Sequence, residues 1–277
     1  MKLLSFRSPD GTPTWGVAKG EGVIDLGHLA PGLKHALWAR SSIAELAERP
    51  VDYRLSDIRY LPPIPDPDKI LCVGLNYVSH IKEGGREPPP KPIIFARFAN
   101  SQVGHGENLI RPKASETYDY EGELAVVISQ RCRHVPKDTA WNVIAGYACY
   151  NEGSVREWQR HSNQFIPGKN FYHSGAFGPW IVTPDETGDI TKATLLTRLN
   201  KEEVQRATID DLCFDIPNLI NYISTFTQLE PGDVIVTGTT GGVGAYRTPP
   251  LWMKPGDTVE VEISAVGVLR NPVAPEE

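Results

Sequence analysis

Twenty-four prolines and 25 glycines are scattered along this chain rather than gathered into one linker. Proline removes a backbone donor and glycine loosens regular structure, so neither suits the interior of a long helix or central strand. Set between short apolar runs, they mark the turns between strands. The expected fold is mainly β, a β-rich α+β body with few helices.

The densest interruption is YLPPIPDPDKI (60–70), where four prolines exclude both a helix and a central strand. It places a boundary between a small N-terminal α+β domain, 1–66, and a larger domain, 67–277. The first block offers strands in KLLSFRS and TWGVAKG and a helix-like SSIAELAERP at 41–50. Beyond the boundary, ILCVGLNY, IIFARF, GELAVVIS and VIAGYACYN read as strands, and DTVEVEISAVGVLRNPV as a strand pair. One helix is well signalled: Asp215 caps it, Pro217 lies in its first turn, and Ile216, Leu219, Ile220, Ile223 and Phe226 form an apolar stripe. A second is expected from Ser154, where SVRE has capping-box spacing that assigns Glu157 to the cap.

With 28 basic against 34 acidic residues the net charge is −6, which argues against a nucleic-acid partner. No apolar run is long enough for a signal peptide or a membrane span. The four cysteines, Cys72, Cys132, Cys149 and Cys213, form no C-x-x-C pair. They read as free thiols in a reducing compartment, and the expected location is the cytoplasm.

The stretch YDYEGEL, 118–124, sends two carboxylates toward an apolar strand. Glu121 and Glu123 share a strand face, where like charges repel and resist leaving water. Either they sit in solvent at an exposed strand end, or a hard divalent cation held by oxygen ligands compensates them. Gly122 between them lets another part of the chain approach closely. A cation site asks for a third carboxylate, and Glu152, in YNEGS where a strand ends, is the candidate; it also fits a solvated turn. His80 and Glu83 are one helical turn apart, a spacing that suits an oriented general base as well as an incidental surface contact. The adjoining GGREPPPKP resembles a lid segment. Lys169, among turn-forming and apolar residues, fits a solvated loop or a cation facing a developing enolate. TGTTGGVG (237–244) lacks the GK[ST] of a phosphate loop, although its amides and Thr239 suit a carboxylate. The remaining histidines, His28, His35, His105, His134, His161 and His173, have no metal-ligand spacing and read as structural.

Together VGLNYVSHIKE, DYEGELAVVI, YNEGSVREWQ, GKNF, GAFGPW and the segment from GDVIVTGTTGGVG to GVLRNPV resemble the fumarylacetoacetate hydrolase family over about residues 67–277, in its order and with its spacings. The nearest resemblance is to its acylpyruvase and 2-hydroxyhepta-2,4-diene-1,7-dioate isomerase branch. The resemblance implies a β-roll or sandwich around one Mg²⁺ or Mn²⁺ per subunit, in a homodimer that acts on 2-oxo and β-diketo acids. It implies Glu121, Glu123 and Glu152 as metal ligands, Glu152 standing where an aspartate is usual. It implies His80, Glu83 and Lys169 as catalytic, with Gln159 and Thr239 at the substrate's 2-oxo carboxylate. Arg97 stands at a substrate position where a lysine is common.

The expected activity is metal-dependent hydrolysis of a C–C bond in an acylpyruvate-like acid. Decarboxylation or enol–keto isomerisation of a 2-oxo diacid uses the same site. A non-catalytic binding module on the same fold is the reading from another class.

Overall fold

The computed structural model describes residues 1–37, 43–45 and 47–277. The helix expected over 41–50 therefore lies in part outside the described residues. No described helix is long and apolar enough to cross a membrane.

Among the described residues, one twelve-stranded sheet runs through the whole molecule. Its path is Tyr53–Arg54, Gly22–Asp25, Pro13–Lys19, Lys2–Arg7, Gly175–Val182, Ile144–Asn151, Gly122–Ile128, Val234–Thr239, Ile70–Gly74 and Ile93–Arg97, with Arg59–Tyr60 paired to Lys2–Arg7 and Gln102–Val103 to Gly175–Val182 off this path. The N-terminal strands thus extend the same sheet: Lys2 pairs with Val182 and Leu3 with Ile181. Residues on the two sides of the proline-rich segment are joined through this ladder. A second sheet, Glu202–Thr208, Thr194–Leu199, Thr258–Ile263, Gly267–Pro275 and Leu109–Arg111, packs against one face of the first.

The centre of the large sheet is apolar on both faces. Every residue of Gly122–Ile128 and of Ile144–Asn151 is buried, as expected for strands covered on both sides. Leu124, Val126 and Ile128 point toward the second sheet and meet Val259, Val261, Ile263 and Leu269. Ala125 and Val127 point the other way and are covered from the N-terminal block by Val17, Ile24, Leu33 and Leu37. Each valine, leucine or isoleucine among them contributes about 1.5–3 kcal/mol through burial. Glu121 and Glu123 are in phase with Ala125 and Val127, so the alternation of the strand carries them onto the face that residues 1–66 help to cover.

The helix Ile216–Phe226 forms as its sequence signals. The Asp215 carboxylate accepts from the Asn218 amide at 2.9 Å, and Ile216, Leu219, Ile220 and Ile223 are buried. Phe226 departs from the expected stripe, being 54% exposed in the last residue of the helix. The expected capping box at Ser154 does not form. Ser154 pairs with Asp119 in a two-residue strand, its hydroxyl donates to the Glu152 carbonyl at 2.9 Å, and the helix starts only at Arg156. Local strand pairing outcompetes the cap.

Candidate metal centre

Three buried carboxylates converge at one end of the central strand. Glu121, Glu123 and Glu152 are 4%, 1% and 2% exposed, and one oxygen from each lies within 4.8 Å of the others. Two come from the strand alternation. The third comes from the turn after Ile144–Asn151, fixed because the Glu152 amide donates to the Glu121 carbonyl at 2.8 Å. A Cβ on Gly153 would lie 1.8 Å from the Ser174 carbonyl oxygen, so only glycine lets this turn close. Arg97 secures it from behind, donating to the Gly153 carbonyl at 2.9 Å and to the Ser174 hydroxyl at 2.9 Å.

Two cations touch the carboxylates directly. Lys169 Nζ contacts Glu121 at 2.5 Å and Glu152 at 2.8 Å. Arg156 contacts Glu121 at 2.6 Å and Asp119, a fourth buried carboxylate, at 2.7 Å. Asp119 also accepts from the amides of Gly244 and Ala245, which ties the loop after Val234–Thr239 to the centre. Four carboxylates against two contacting cations leave an excess of negative charge in a largely buried place.

The carboxyls respond differently to their surroundings. Burial works against the charge on Glu121, but Arg156 and Lys169 more than offset it and hold this carboxyl well below its usual range. Burial, reinforced by Glu152 and Glu121, pushes the Glu123 carboxyl well above its usual range. Burial likewise raises Glu152, with Glu121 adding to the effect and Lys169 opposing it. Burial disfavours the Lys169 ammonium, yet Glu121 and Glu152 outweigh it and the charge is kept. One oxygen of Glu152, Oε1, has no protein donor although it is fully buried. A divalent cation fits these residues: the donors are all hard carboxylate oxygens, one is orphaned, and the charge excess has the required sign.

The centre forms the floor of a cavity of about 520 Å³. His80, Glu121, Glu123, Glu152, Gln159, Lys169 and Thr239 line it, with Val73, Ile93, Phe95 and Phe165 as an apolar wall. His80 stands on the helix Val78–Glu83, its Nδ1 3.4 Å from Glu83, whose other oxygen accepts from the Gly242 amide at 2.9 Å. The start of this helix is anchored. The Asn76 side chain donates to Thr237 and Phe214 carbonyls, and the Ser79 hydroxyl donates to Asp211 at 2.6 Å. Leu75 just before it has φ of 53°, a left-handed backbone strained for a branched residue, on the cavity lining. Lys169 is delivered by the short helix Ile166–Lys169, which packs so closely on Arg156–Gln159 that a Cβ on Gly168 would sit 2.3 Å from the Gln159 nitrogen.

Seven of the nine sequence-derived residues line this one cavity; Glu83 contacts His80 without lining it, and Arg97 lies apart. Arg97 does not line it: its guanidinium is buried and directs its donors to Gly153, Ser174 and Ser101. Its observed contacts support the Glu152 turn. Arg156 and Asp119 were not anticipated. The alternation Asp119, Glu121, Glu123 was a usable signal for Asp119, whereas Arg156 was hidden inside the supposed capping box.

Residues 69–274 match the family model described as fumarylacetoacetate (FAA) hydrolase C-terminal. The chain is 38% identical over 290 residues to the human protein named oxaloacetate tautomerase FAHD2A, mitochondrial, covering 99% of this chain and 91% of that one. Among solved structures it resembles 2-hydroxyhepta-2,4-diene-1,7-dioate isomerase from Mycobacterium marinum, with a TM-score of 0.80, 29% identity and coverage of 100% and 99% of the two chains. It also resembles maleylpyruvate hydrolase from Sphingobium sp. SYK-6, solved with manganese(II) and pyruvate, with a TM-score of 0.83, 25% identity and full coverage of both chains. With its strand-rich fold and its family residues gathered around one acidic centre, this chain belongs to the fumarylacetoacetate hydrolase family.

Proposed function

We propose that the protein is a cation-dependent enol–keto tautomerase of 2-oxo diacids of the oxaloacetate class. The observation that carries this reading is the convergence of three buried carboxylates and Lys169 on the floor of a cavity that His80 overlooks. The name of the 38% identical human relative supports the same choice of chemistry. When held by Glu121, Glu123 and Glu152, Mg²⁺ or Mn²⁺ supplies Lewis acidity that stabilises negative charge on the oxygens of a 2-oxo acid.

The chain's own groups do the rest. An ammonium has three donors, and Lys169 spends two on Glu121 and Glu152, leaving one for the oxygen on which enolate charge gathers. Glu83 beside Nδ1 favours the His80 tautomer that leaves Nε2 free to take and return a proton at the neighbouring carbon. The carboxamide of Gln159, oriented through its oxygen by Arg156 at 3.0 Å, presents its amide N–H groups to the substrate's carboxylate. Phe95, Phe165 and Ile93 keep one wall of the site dry. Assembly as a homodimer belongs to the same proposal and is read by mass in solution.

Hydrolysis of an acylpyruvate-like acid is the second reading, favoured by the likeness to maleylpyruvate hydrolase. In that case His80 activates a water instead of moving a carbon-bound proton. The test is to add protein with Mg²⁺ or Mn²⁺ to enol oxaloacetate and, separately, to acylpyruvates in ¹⁸O-water. Faster ketonisation without cleavage supports the tautomerase. ¹⁸O in the released acid supports the hydrolase. A protein that accelerates neither overturns both.

A further inference from the structure

The strand that carries Glu123 pairs regularly on one edge, Gly122 with Asn151 and Glu123 with Tyr150, but its other edge is irregular beside the carboxylates. Between Gly122–Ile128 and Val234–Thr239 the register shifts between Glu123 and Ala125, and such a shift interrupts the regular inter-strand bonds. Side chains take over beyond it. The Gly122 amide donates to Gln205 Oε1 at 2.9 Å, and the Gly122 carbonyl accepts from the Thr239 hydroxyl at 3.0 Å. Gln205 Nε2 closes the ring by donating to Thr239 Oγ1 at 2.8 Å and to the Thr240 carbonyl at 3.0 Å. Gln205 reaches in from the second sheet and is 2% exposed; Thr239 is 5% exposed.

We propose that Gln205 and Thr239 form a clamp that positions the peptide between two cation ligands. The proposal rests on the reading of Glu121 and Glu123 as ligands. The ring matches donors to acceptors: the Thr239 hydroxyl donates to the Gly122 carbonyl and accepts from Gln205. The carboxamide is the side chain that fits position 205, because the ring needs an acceptor for Gly122 and two donors for Thr239 and Thr240. Glutamate lacks the donors and would add a further negative charge; methionine lacks donors altogether. Gly122 itself has no room for a side chain, since a Cβ would lie 2.0 Å from the Thr197 hydroxyl and 3.3 Å from Gln205 Oε1. Gln205 and Thr239 are thus positioning residues. They set the direction of two carboxylates by fixing the backbone between them.

The experiment is calorimetric titration of Mn²⁺ into Gln205→Met, Thr239→Val and Thr239→Ser without substrate, below the melting temperature that each shows in EDTA. Loss of support around ligands typically weakens cation affinity about 10–100-fold, and that loss is expected for Gln205→Met and Thr239→Val. Thr239→Ser keeps the hydroxyl and is expected to restore most of the affinity. The proposal is overturned if Thr239→Val binds Mn²⁺ like the wild type while its KM for oxaloacetate rises, or if serine rescues nothing. A wild-type protein that binds no Mn²⁺ overturns it together with the proposed function. Equal binding by wild type and variants overturns it alone.

Discussion

Lys169→Met isolates the role of the buried ammonium. Methionine keeps an unbranched stem against Phe95, over whose ring the Lys169 charge sits at 5.3 Å, and removes only the charge and its donors. Glu121 retains Arg156 at 2.6 Å, but Glu152 loses the one cation that touches it among the described residues. Removing one member of a buried ion pair costs about 3–5 kcal/mol. With Glu121 still paired, the lower end, about 3 kcal/mol, is expected here. At roughly 2–4 °C per kcal/mol for a large domain, the melting temperature in EDTA falls by about 6–12 °C. The deficit shrinks at lower pH, because Glu152 can then take up a proton in place of its lost partner. Mn²⁺ has the opposite relation to the substitution. Removing a positive charge beside the ligands raises affinity for the ion, so saturating Mn²⁺ narrows the melting gap between variant and wild type. Turnover still falls, since no N–H remains for the enolate oxygen. Thermal melts with EDTA and with Mn²⁺, and titration of the ion, test each part. An unchanged melting temperature in EDTA, or weaker Mn²⁺ binding by the variant, refutes the assignment of Lys169 as the centre's own counter-charge.

His80→Ala is expected to lower turnover by about 10²–10⁴-fold, the usual contribution of a positioned base, while Mn²⁺ titrates as in the wild type; stopped-flow ketonisation rates and calorimetry check this. Glu123 and Glu152 have folded-state values above the ordinary 4.5, so in EDTA the fold holds protons that the unfolded chain has shed, and stability is lost as pH rises through that window. Because the cation takes the place of those protons, the gain in melting temperature on adding Mn²⁺ should grow as pH rises above the ordinary carboxyl value of 4.5; a gain that shrinks would contradict the charge balance of the centre. Gly122→Ala forces a Cβ against Thr197, and an overpacking cost of about 1–3 kcal/mol is expected, together with weaker Mn²⁺ binding, read by thermal melts and titration.

The elements were legible where the local signal was also the tertiary one. Asp215 and Pro217 start a helix as their chemistry dictates, and the continuous apolar run after Glu123 becomes a strand covered on both faces. Ser154 shows the opposite case. Its spacing to Glu157 satisfies a capping rule, but strand pairing with Asp119 claims it first. Arg97 stands at a position that the resemblance links to substrate, yet its surroundings turn it toward the Glu152 turn. Gln205 carried no local signal, because its partners Gly122 and Thr239 are distant in the chain.

By itself the sequence determined the periodicities, the breaks between them, and the phase that puts Glu121 and Glu123 on one side of a strand. These follow from backbone geometry within a few residues. Only the tertiary structure decided that Glu152 and Lys169 meet that pair, that Arg156 and Asp119 complete the charge balance, and that Val17, Ile24, Leu33 and Leu37 pack over the strand face that carries the centre. Such outcomes depend on contacts between distant segments, where burial and opposite charge, rather than local preference, set the energy.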